Sequence, residues 1–323
     1  MTPTLNGGVG PPVIAVVGPT GTGKSDVGLA IAETIGGEVV NADAMQLYRG
    51  MDIGTAKFSL AQRRGIPHHQ LDVLDITHEA SVAAYQRRAR ADIADIRARG
   101  LHPVLVGGSG LYVRAALDRL EIPPTDPQVR QRLEEEALVR GTAHMHAVLR
   151  DHDPVAAASI DTRNLRRIVR ALEVIELTGR PFSATMPTRE FVVSTIVVGL
   201  HLDRAILDER LGSRVRRMWA DGFVAEVRQL EGRGLRQGRT ASKALGYAQV
   251  LATLDGTLSD SQAQEETIRA TCRFARRQES WFRPDPRTTW IDAGEPGAAA
   301  ASVAHVRAAA RTARSTGRGE WVP

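Results

Sequence analysis

Residues Gly18–Ser25 read G-P-T-G-T-G-K-S and follow directly on the apolar run Val13–Val17, with a helical pattern beyond them. A strand that turns through G-x-x-x-x-G-K-[ST] into a helix is a phosphate-binding loop. Gly18, Pro19, Thr20, Gly21, Thr22 and Gly23 supply a backbone whose N–H groups can converge on a di- or triphosphate. Lys24 reaches the outer phosphates, and the Ser25 hydroxyl can ligate Mg²⁺. The loop holds phosphate oxygens whatever else the phosphate is attached to.

The rest of the first hundred residues alternates strand and helix. Lys24–Ile35 is a helix stopped by Gly36-Gly37, Glu38–Asn41 a second strand, and Ser81–Arg99 a helix with Val82, Ala83, Tyr85, Ala89, Ile93 and Ile96 on one face. Pro103–Val106 is a third buried strand, followed by Gly107-Gly108-Ser109-Gly110 and a helix from Leu111. Continuous apolar strands joined by helices predict an α/β fold, a P-loop NTPase-like doubly wound parallel sheet. Strand signals vanish from about Asp118 to Arg189. Asp126-Pro127 and Asp153-Pro154 are helix starts, and Asn164–Leu177 is a periodic helix stopped by Gly179 and Pro181. This stretch predicts an all-helical insertion. Phe191–Gly199 returns to an apolar strand in the same sheet, helical patterns cover Asp203–Arg233, Ala241–Leu254 and Ser259–Arg283, and Thr288–Ile291 adds a short strand. The expected division is therefore 1–117 and 191–293 for the core, 118–190 for the insertion, and 294–323 for a tail of one surface helix followed by disorder.

Composition narrows the partners. Within 323 residues no apolar stretch approaches a membrane span, and Met1–Pro12 is uncharged and Gly/Pro-rich, which predicts neither a secretory nor an organellar leader. Cys272 is the one cysteine, so there is no internal disulfide framework, and a reducing cytoplasm is expected. The formal charge is +5, and of 42 basic residues only Lys24, Lys57 and Lys243 are lysines. Arginine's planar fork suits phosphate and nucleic acid, although a GC-rich coding sequence gives the same bias.

Asp43 follows the second strand, on the edge of a parallel sheet where ligands bind. It could bind Mg²⁺, accept a proton from a nucleophile, or cap a helix over Ala44–Tyr48. The third strand runs into Gly107-Gly108-Ser109 and lacks the acid that would position water in an ATPase. Ser109 offers a hydroxyl to a phosphate or substrate, or caps the following helix. Arg210, Arg214 and Arg217 share a helical face. Arg273, Arg276, Arg277 and Arg283 surround Phe274, Trp281 and Phe282, and Arg163, Arg166, Arg167 and Arg170 form a stripe in the insertion. Basic residues interleaved with aromatics suit unpaired bases and their backbone; solvated helix faces explain them as well.

N-A-D-A-M-Q-L-Y-R-G-M-D-I-G-T-A-K (Asn41–Lys57), G-G-S-G-L-Y (Gly107–Tyr112), R-A-L-E-V (Arg170–Val174), A-L-G-Y (Ala244–Tyr247) and R-R-Q-E-S-W-F-R (Arg276–Arg283) stand in order. Together with the phosphate loop, the series resembles the tRNA dimethylallyltransferase family, also called tRNA isopentenyltransferases, over residues 13 to about 293.

The resemblance implies transfer of a dimethylallyl group from dimethylallyl diphosphate to N6 of the adenosine at tRNA position 37, just 3′ of the anticodon. Diphosphate leaves and no ATP is consumed. It implies that Asp43 is the general base. Lys24, Ser25 with Mg²⁺, Ser109 and Arg214 would hold the diphosphate and stabilise charge as the allylic C–O bond breaks. It implies tRNA contacts at Asp43, Ala44, Met45, Gln46, Ser109, Arg166, Arg167, Arg170, Lys243, Gly246 and Tyr247. Further contacts are implied at Arg276, Arg277, Gln278, Trp281 and Arg283. The adenine must flip out of its stack, and the insertion would grip the anticodon stem-loop. Mg²⁺ is the cofactor expected, ATP or ADP a weak occupant of the loop, and the molecule a cytoplasmic monomer without membrane contact. Ser109 and Ser280 stand where the family pattern has Thr, and Ala44 where it has Ser, so the Ala44 side chain carries no role. A small-molecule kinase would share the fold but leave the arginine–aromatic block unexplained. A non-catalytic RNA-binding protein would leave the phosphate loop idle.

Overall fold

The computed structural model describes residues 10–185 and 189–316. Asp118–Glu190 forms one compact unit and the remainder another. The larger unit is built on six parallel strands: β1 (Val13–Val17), β2 (Gly37–Asn41), β3 (His68–His69), β4 (His102–Gly107), β5 (Thr195–His201) and β6 (Thr288–Asp292), in the order β3-β2-β4-β1-β5-β6. All five residues of β1 are buried, as a central strand covered on both faces requires. Ile14 pairs with Val104 on one side and Ile196 on the other.

Helices α1 (Lys24–Ile35), α2 (Val82–Ala98) and α3 (Gly110–Leu117) belong to the first half of this unit. Ile14, Val16, Val104, Val198 and Leu200 of the sheet pack with Val27 and Ile31 of α1. On α2, Ser81 caps the start by accepting the Ala84 N–H, and Tyr85 sends its hydroxyl to the Asn41 carbonyl at 2.8 Å. The smaller unit holds α4 (Pro127–Arg140), α5 (Thr142–His152), α6 (Pro154–Ser159) and α7 (Leu165–Thr178) around Leu133, Met145, Leu149, Ile168 and Leu172. Asp126 and Asp153 cap α4 and α6 through their carboxylates, each with proline in the first turn.

After β5 come α8 (Arg204–Ala220), α9 (Phe223–Gly232), α10 (Tyr247–Leu254), α11 (Asp260–Phe282) and, beyond β6, α12 (Ala298–Thr316). Tyr48 and Met51 from the connection after β2, and Ile76 from that after β3, share a core with Phe223, Val227 and Leu230 of α9 and Tyr247 and Leu251 of α10. Phe223 stands edge-on to Trp219 and Tyr247, with ring centres 5.1 and 4.9 Å away.

Several boundaries differ from the sequence expectation. The helix predicted over Asp203–Arg233 is two helices, broken at Gly222 (φ +97°), and the pattern over Ala241–Leu254 starts as a short 3-10 turn and becomes α-helix only past Gly246 (φ +86°). Both glycines occupy the left-handed region, where the chain changes direction. The strand predicted over Phe191–Gly199 begins at Thr195, where pairing with Val13 starts, and runs on to His201. Phe191 lies before it, its ring beneath the Arg287 guanidinium at 4.0 Å. β3 is a two-residue edge strand whose histidines carry no strand signal. No helix forms over Ala44–Tyr48, so Asp43 is not a helix cap. Helix α12 is more than a surface helix, because Val306 is fully buried in the core with α1. The disorder expected at the end of the chain falls on 317–323, and most of the leader reading on 1–9, both outside the described residues.

Candidate active site

β1 delivers the chain into the phosphate loop at the carboxyl edge of the sheet. A Cβ on Gly18 would meet the Leu200 carbonyl oxygen at 2.3 Å, so the loop packs on β5 with no room for a side chain. Inside the loop, the Pro19 carbonyl accepts from Thr22 Oγ1 at 2.9 Å and from Lys24 Nζ at 2.6 Å. The N–H groups opening α1 have no intrahelical partner and favour an anion. Lys24 is held ready for one: burial pushes its ammonium down to about 7, with Asp43 opposing and Arg214 adding to the shift. A bound phosphate would offset that desolvation cost by its charge.

The arginine face of α8 turns toward this loop. Arg214 Nη1 donates to Thr20 Oγ1 at 3.2 Å, and Arg210 Nη1 donates to the Gly21 carbonyl at 3.3 Å. Burial lowers the Arg214 guanidinium below its usual value while Asp43 opposes it; it remains a cation at any working pH. Lys24, Ser25, Asp43, Arg210, Arg214 and Arg217 line one cleft of about 920 Å³.

Asp43, just past β2, lines the cleft, and Ser109 follows the end of the adjacent strand β4. Ala42 N–H bonds the Val106 carbonyl at 2.8 Å, and Ser109 N–H the Ala42 carbonyl at 3.3 Å. Ser109 Oγ accepts the Ala44 N–H at 3.4 Å. Asn41 holds the turn: its Oδ1 accepts the Asp43 N–H at 3.0 Å, and its Nδ2 donates to the carbonyls of Asp43 and Gln70 at 3.0 and 2.9 Å. Asp43 Oδ1 accepts the Met45 N–H at 2.9 Å in a local turn. The carboxylate therefore has a fixed direction without a helix to cap. Where β4 ends, Gly107 and Gly108 line the cleft in place of an acid.

The opposite wall is the segment after Gln46, and two residues that sequence reasoning did not single out hold it. Glu226 of α9 accepts the N–H groups of Asp52, Ile53 and Gly54 at 3.0, 2.6 and 3.3 Å, and the Tyr247 hydroxyl at 2.6 Å. Lys57, its side chain 2% exposed, donates to the Tyr48 carbonyl and pairs with Asp52 and Asp72 at 2.7 and 2.6 Å. Lys57 sat inside a recognisable motif; nothing in the sequence links Glu226 to residues so distant along the chain.

The residues expected to touch tRNA separate into two groups. Lys243, Arg276, Arg277 and Arg283 are exposed, as are Arg166 and Arg167 in the helical unit. Arg276 pairs with Asp208 at 3.3 Å, Arg283 pairs with Glu279, and Arg277 lies over the Phe274 ring. Trp281 is 44% exposed beneath the Arg114 guanidinium. Others are engaged within the fold. Tyr247 is fully buried on Glu226 and Gly246 is buried beside Phe223. Gln278 is buried between Thr20 and Gly108. Arg170 spends its guanidinium on Glu173 and the carbonyls of Pro123 and Pro124. Met45 packs against the core of Tyr48 and Phe223, and Gln46 lines the cleft but gives Nε2 to the Thr55 carbonyl. Ala44 is half-buried, its N–H taken by Ser109.

Among the described residues no cluster of three or more His, Cys, Asp or Glu side chains stands ready to hold a metal. Ser25, on the lining of this cleft, is the side chain that would hold a Mg²⁺ beside a bound phosphate. None of the described helices is long and apolar enough to cross a membrane.

Residues 46–285 match the family model described as IPP transferase. A tRNA dimethylallyltransferase of Salinispora arenicola is 60% identical over 299 residues, covering 93% of this chain and 87% of the relative. One of Kineococcus radiotolerans is 60% identical over 288 residues, covering 87% of this chain and 91% of the relative. The full-length tRNA isopentenylpyrophosphate transferase of Bacillus halodurans superposes with a TM-score of 0.69 at 35% identity, covering 94% of this chain and 98% of that one. A eukaryotic dimethylallyltransferase acting on tRNA gives 0.76 at 27% identity, covering 88% of this chain and 74% of that one. With the phosphate loop, Asp43 and the α8 arginines gathered on one cleft of a parallel sheet, this chain belongs to the IPP transferase family.

Proposed function

We propose that this chain transfers the dimethylallyl group of dimethylallyl diphosphate to N6 of the adenosine at tRNA position 37 and releases diphosphate. The observation that carries this reading is the cleft itself. A phosphate cradle with Lys24 and Arg214 shares it with a carboxylate, Asp43, while the end of β4 offers glycine where a nucleotide hydrolase has its acid. Such a site suits departure of a diphosphate toward a nucleophile other than activated water. A small-molecule kinase would leave the exposed arginines of α11 without a purpose.

In this reading the diphosphate lies on the N–H groups opening α1. Lys24 and Arg214 balance the charge that grows on the leaving oxygens as the allylic C–O bond lengthens. Mg²⁺, held by Ser25 and the diphosphate, would add to that balance. Asp43 accepts the N6 proton as the new C–N bond forms; the amine is a weak nucleophile because its lone pair is delocalised into the ring. Ser109 Oγ, which accepts the Ala44 N–H, would bond the flipped adenosine or the diphosphate. Lys243, Arg166, Arg167, Arg276, Arg277 and Arg283 offer cations to the RNA backbone, and Trp281 an aromatic face. Dimethylallyl diphosphate as donor, a monomeric state and a cytoplasmic location belong to the same proposal.

Asp43→Asn keeps the turn, because the amide oxygen still accepts the Met45 N–H, but it cannot take the proton. In single-turnover reactions with saturating tRNA it should slow transfer by roughly 10²–10⁴, the usual worth of a positioned general base, while both substrates still bind. A rate close to wild type would remove Asp43 from the chemistry.

A further inference from the structure

Helix α11 presents two faces of different character. Arg273, Arg276, Arg277 and Arg283 are exposed on one. On the other, Gln278 is 5% exposed and bonds in two directions. Its Oε1 accepts the Thr20 N–H at 2.8 Å, and its Nε2 donates to the Gly108 carbonyl at 2.9 Å. One turn on, Trp281 lies against Gly110, where a Cβ would come within 1.9 Å of the indole; a Cβ on Gly108 would come within 2.3 Å of Gln278 Nε2. The G-G-S-G turn is thus bare on this side because α11 occupies the space. Thr20 is also held by Arg214, through its hydroxyl.

We propose that Gln278 is a positioning residue for the transfer reaction. Its amide spans the phosphate loop and the turn carrying Ser109, and so fixes the distance between the leaving diphosphate and the Asp43–Ser109 pair. The proposal rests on the transferase reading and replaces an RNA contact with an internal one. The chemistry needs a neutral side chain that donates at one end and accepts at the other. Glutamate keeps the acceptor for Thr20 but sets a second acceptor against the Gly108 carbonyl. Methionine fills the volume and leaves two buried backbone groups unpaired. Either change frees the two loops to drift, and a misplacement of about 1 Å at reacting atoms costs up to roughly 10²-fold in rate.

The test compares Gln278→Met and Gln278→Glu with wild type in three measurements. These are calorimetric affinity for inorganic diphosphate, filter-binding affinity for tRNA, and kcat with both substrates saturating. The expected result is a weaker diphosphate Kd together with a kcat lowered about 10- to 100-fold, while the tRNA Kd stays within about twofold. A tRNA Kd weakened tenfold or so with kcat and diphosphate affinity intact would return Gln278 to the RNA interface and overturn the proposal. A lower Tm with all three readouts unchanged would overturn it too, leaving only packing. Should neither variant fold, Gly108→Ala presses on the same amide from the far side and must give the same split between diphosphate and tRNA. A wild-type chain that binds both ligands yet transfers nothing would contradict the transferase reading; the diphosphate affinities of the variants would still decide the role of Gln278.

Discussion

Lys24 shows how burial tunes a cradle before its ligand arrives. Its ammonium, held down to about 7 by desolvation, should rise when a diphosphate supplies a counter-charge. The affinity that Lys24 contributes is therefore fully present below about pH 7 and is lost as pH climbs toward the higher value in the complex, because binding must then draw a proton from solvent. Calorimetry of inorganic diphosphate at pH 8, in two buffers of different ionisation enthalpy, reads that proton. Wild type should take up close to one proton more than Lys24→Arg, whose guanidinium is charged throughout. Equal uptake in the two proteins would mean that Lys24 is already charged in the free cleft. Asn41 and Glu226 act at the same scale through backbone groups: one fixes the turn of Asp43, the other gathers three successive N–H groups of the opposite wall.

At the scale of elements, Glu173 organises the helical unit. Its side chain has no exposure, and it accepts from Arg130, Arg170 and the Asp126 N–H that opens α4. Burial works to raise the carboxyl, but the hydrogen bonds of the two arginines outweigh it and hold the group below its usual value. Glu173→Ala should destabilise the unit by about 3 kcal/mol, the lower end for breaking a buried pair, since both arginines keep some contact with water. Chemical denaturation measures it, and a loss under about 1 kcal/mol would show that the pair carries little. Glu38 of β2 gives the matching pH signature. Arg99 first, then His69, hold it down to about 2 against burial. Its contribution is whole above the usual carboxylate value of about 4.5 and is lost as pH falls toward 2. Glu38→Gln should therefore flatten acid unfolding in that window; an unchanged acid limb would contradict it.

Much of the element plan was legible because burial writes itself into composition. Val13–Val17 is apolar throughout as it is covered on both faces, and Asp126-Pro127 and Asp153-Pro154 announce their helices by capping chemistry. The breaks at Gly222 and Gly246 were not legible, because a lone glycine inside a helical period is tolerated as often as it turns the chain. β3 was not, since two histidines at a sheet edge carry no pattern. In the site, the phosphate loop, Asp43 and Ser109 lie at strand ends that local sequence locates. The direction each side chain faces is set by tertiary packing. That is why Tyr247 and Gln278, inside motifs with exposed basic neighbours, turn inward to Glu226 and to Thr20.

At the scale of the whole molecule, the proposed function has the exposed arginines of α7 and α11 hold the RNA. Each backbone phosphate neutralised releases counterions, so tRNA affinity should fall steeply with salt. Arg167→Ala and Arg277→Ala should weaken tRNA binding and lower the slope of log K against log salt by about 1 each, with diphosphate affinity nearly intact. An unchanged slope in both variants would place those side chains on solvated faces. The most direct test of the account follows the group transferred. The purified chain is mixed with tRNA, dimethylallyl diphosphate and Mg²⁺ in the absence of any nucleotide, and the digested tRNA nucleosides are weighed by mass spectrometry. The account predicts N6-dimethylallyladenosine at position 37 and one diphosphate released for each group transferred. Product that forms only when ATP is present and hydrolysed would contradict it.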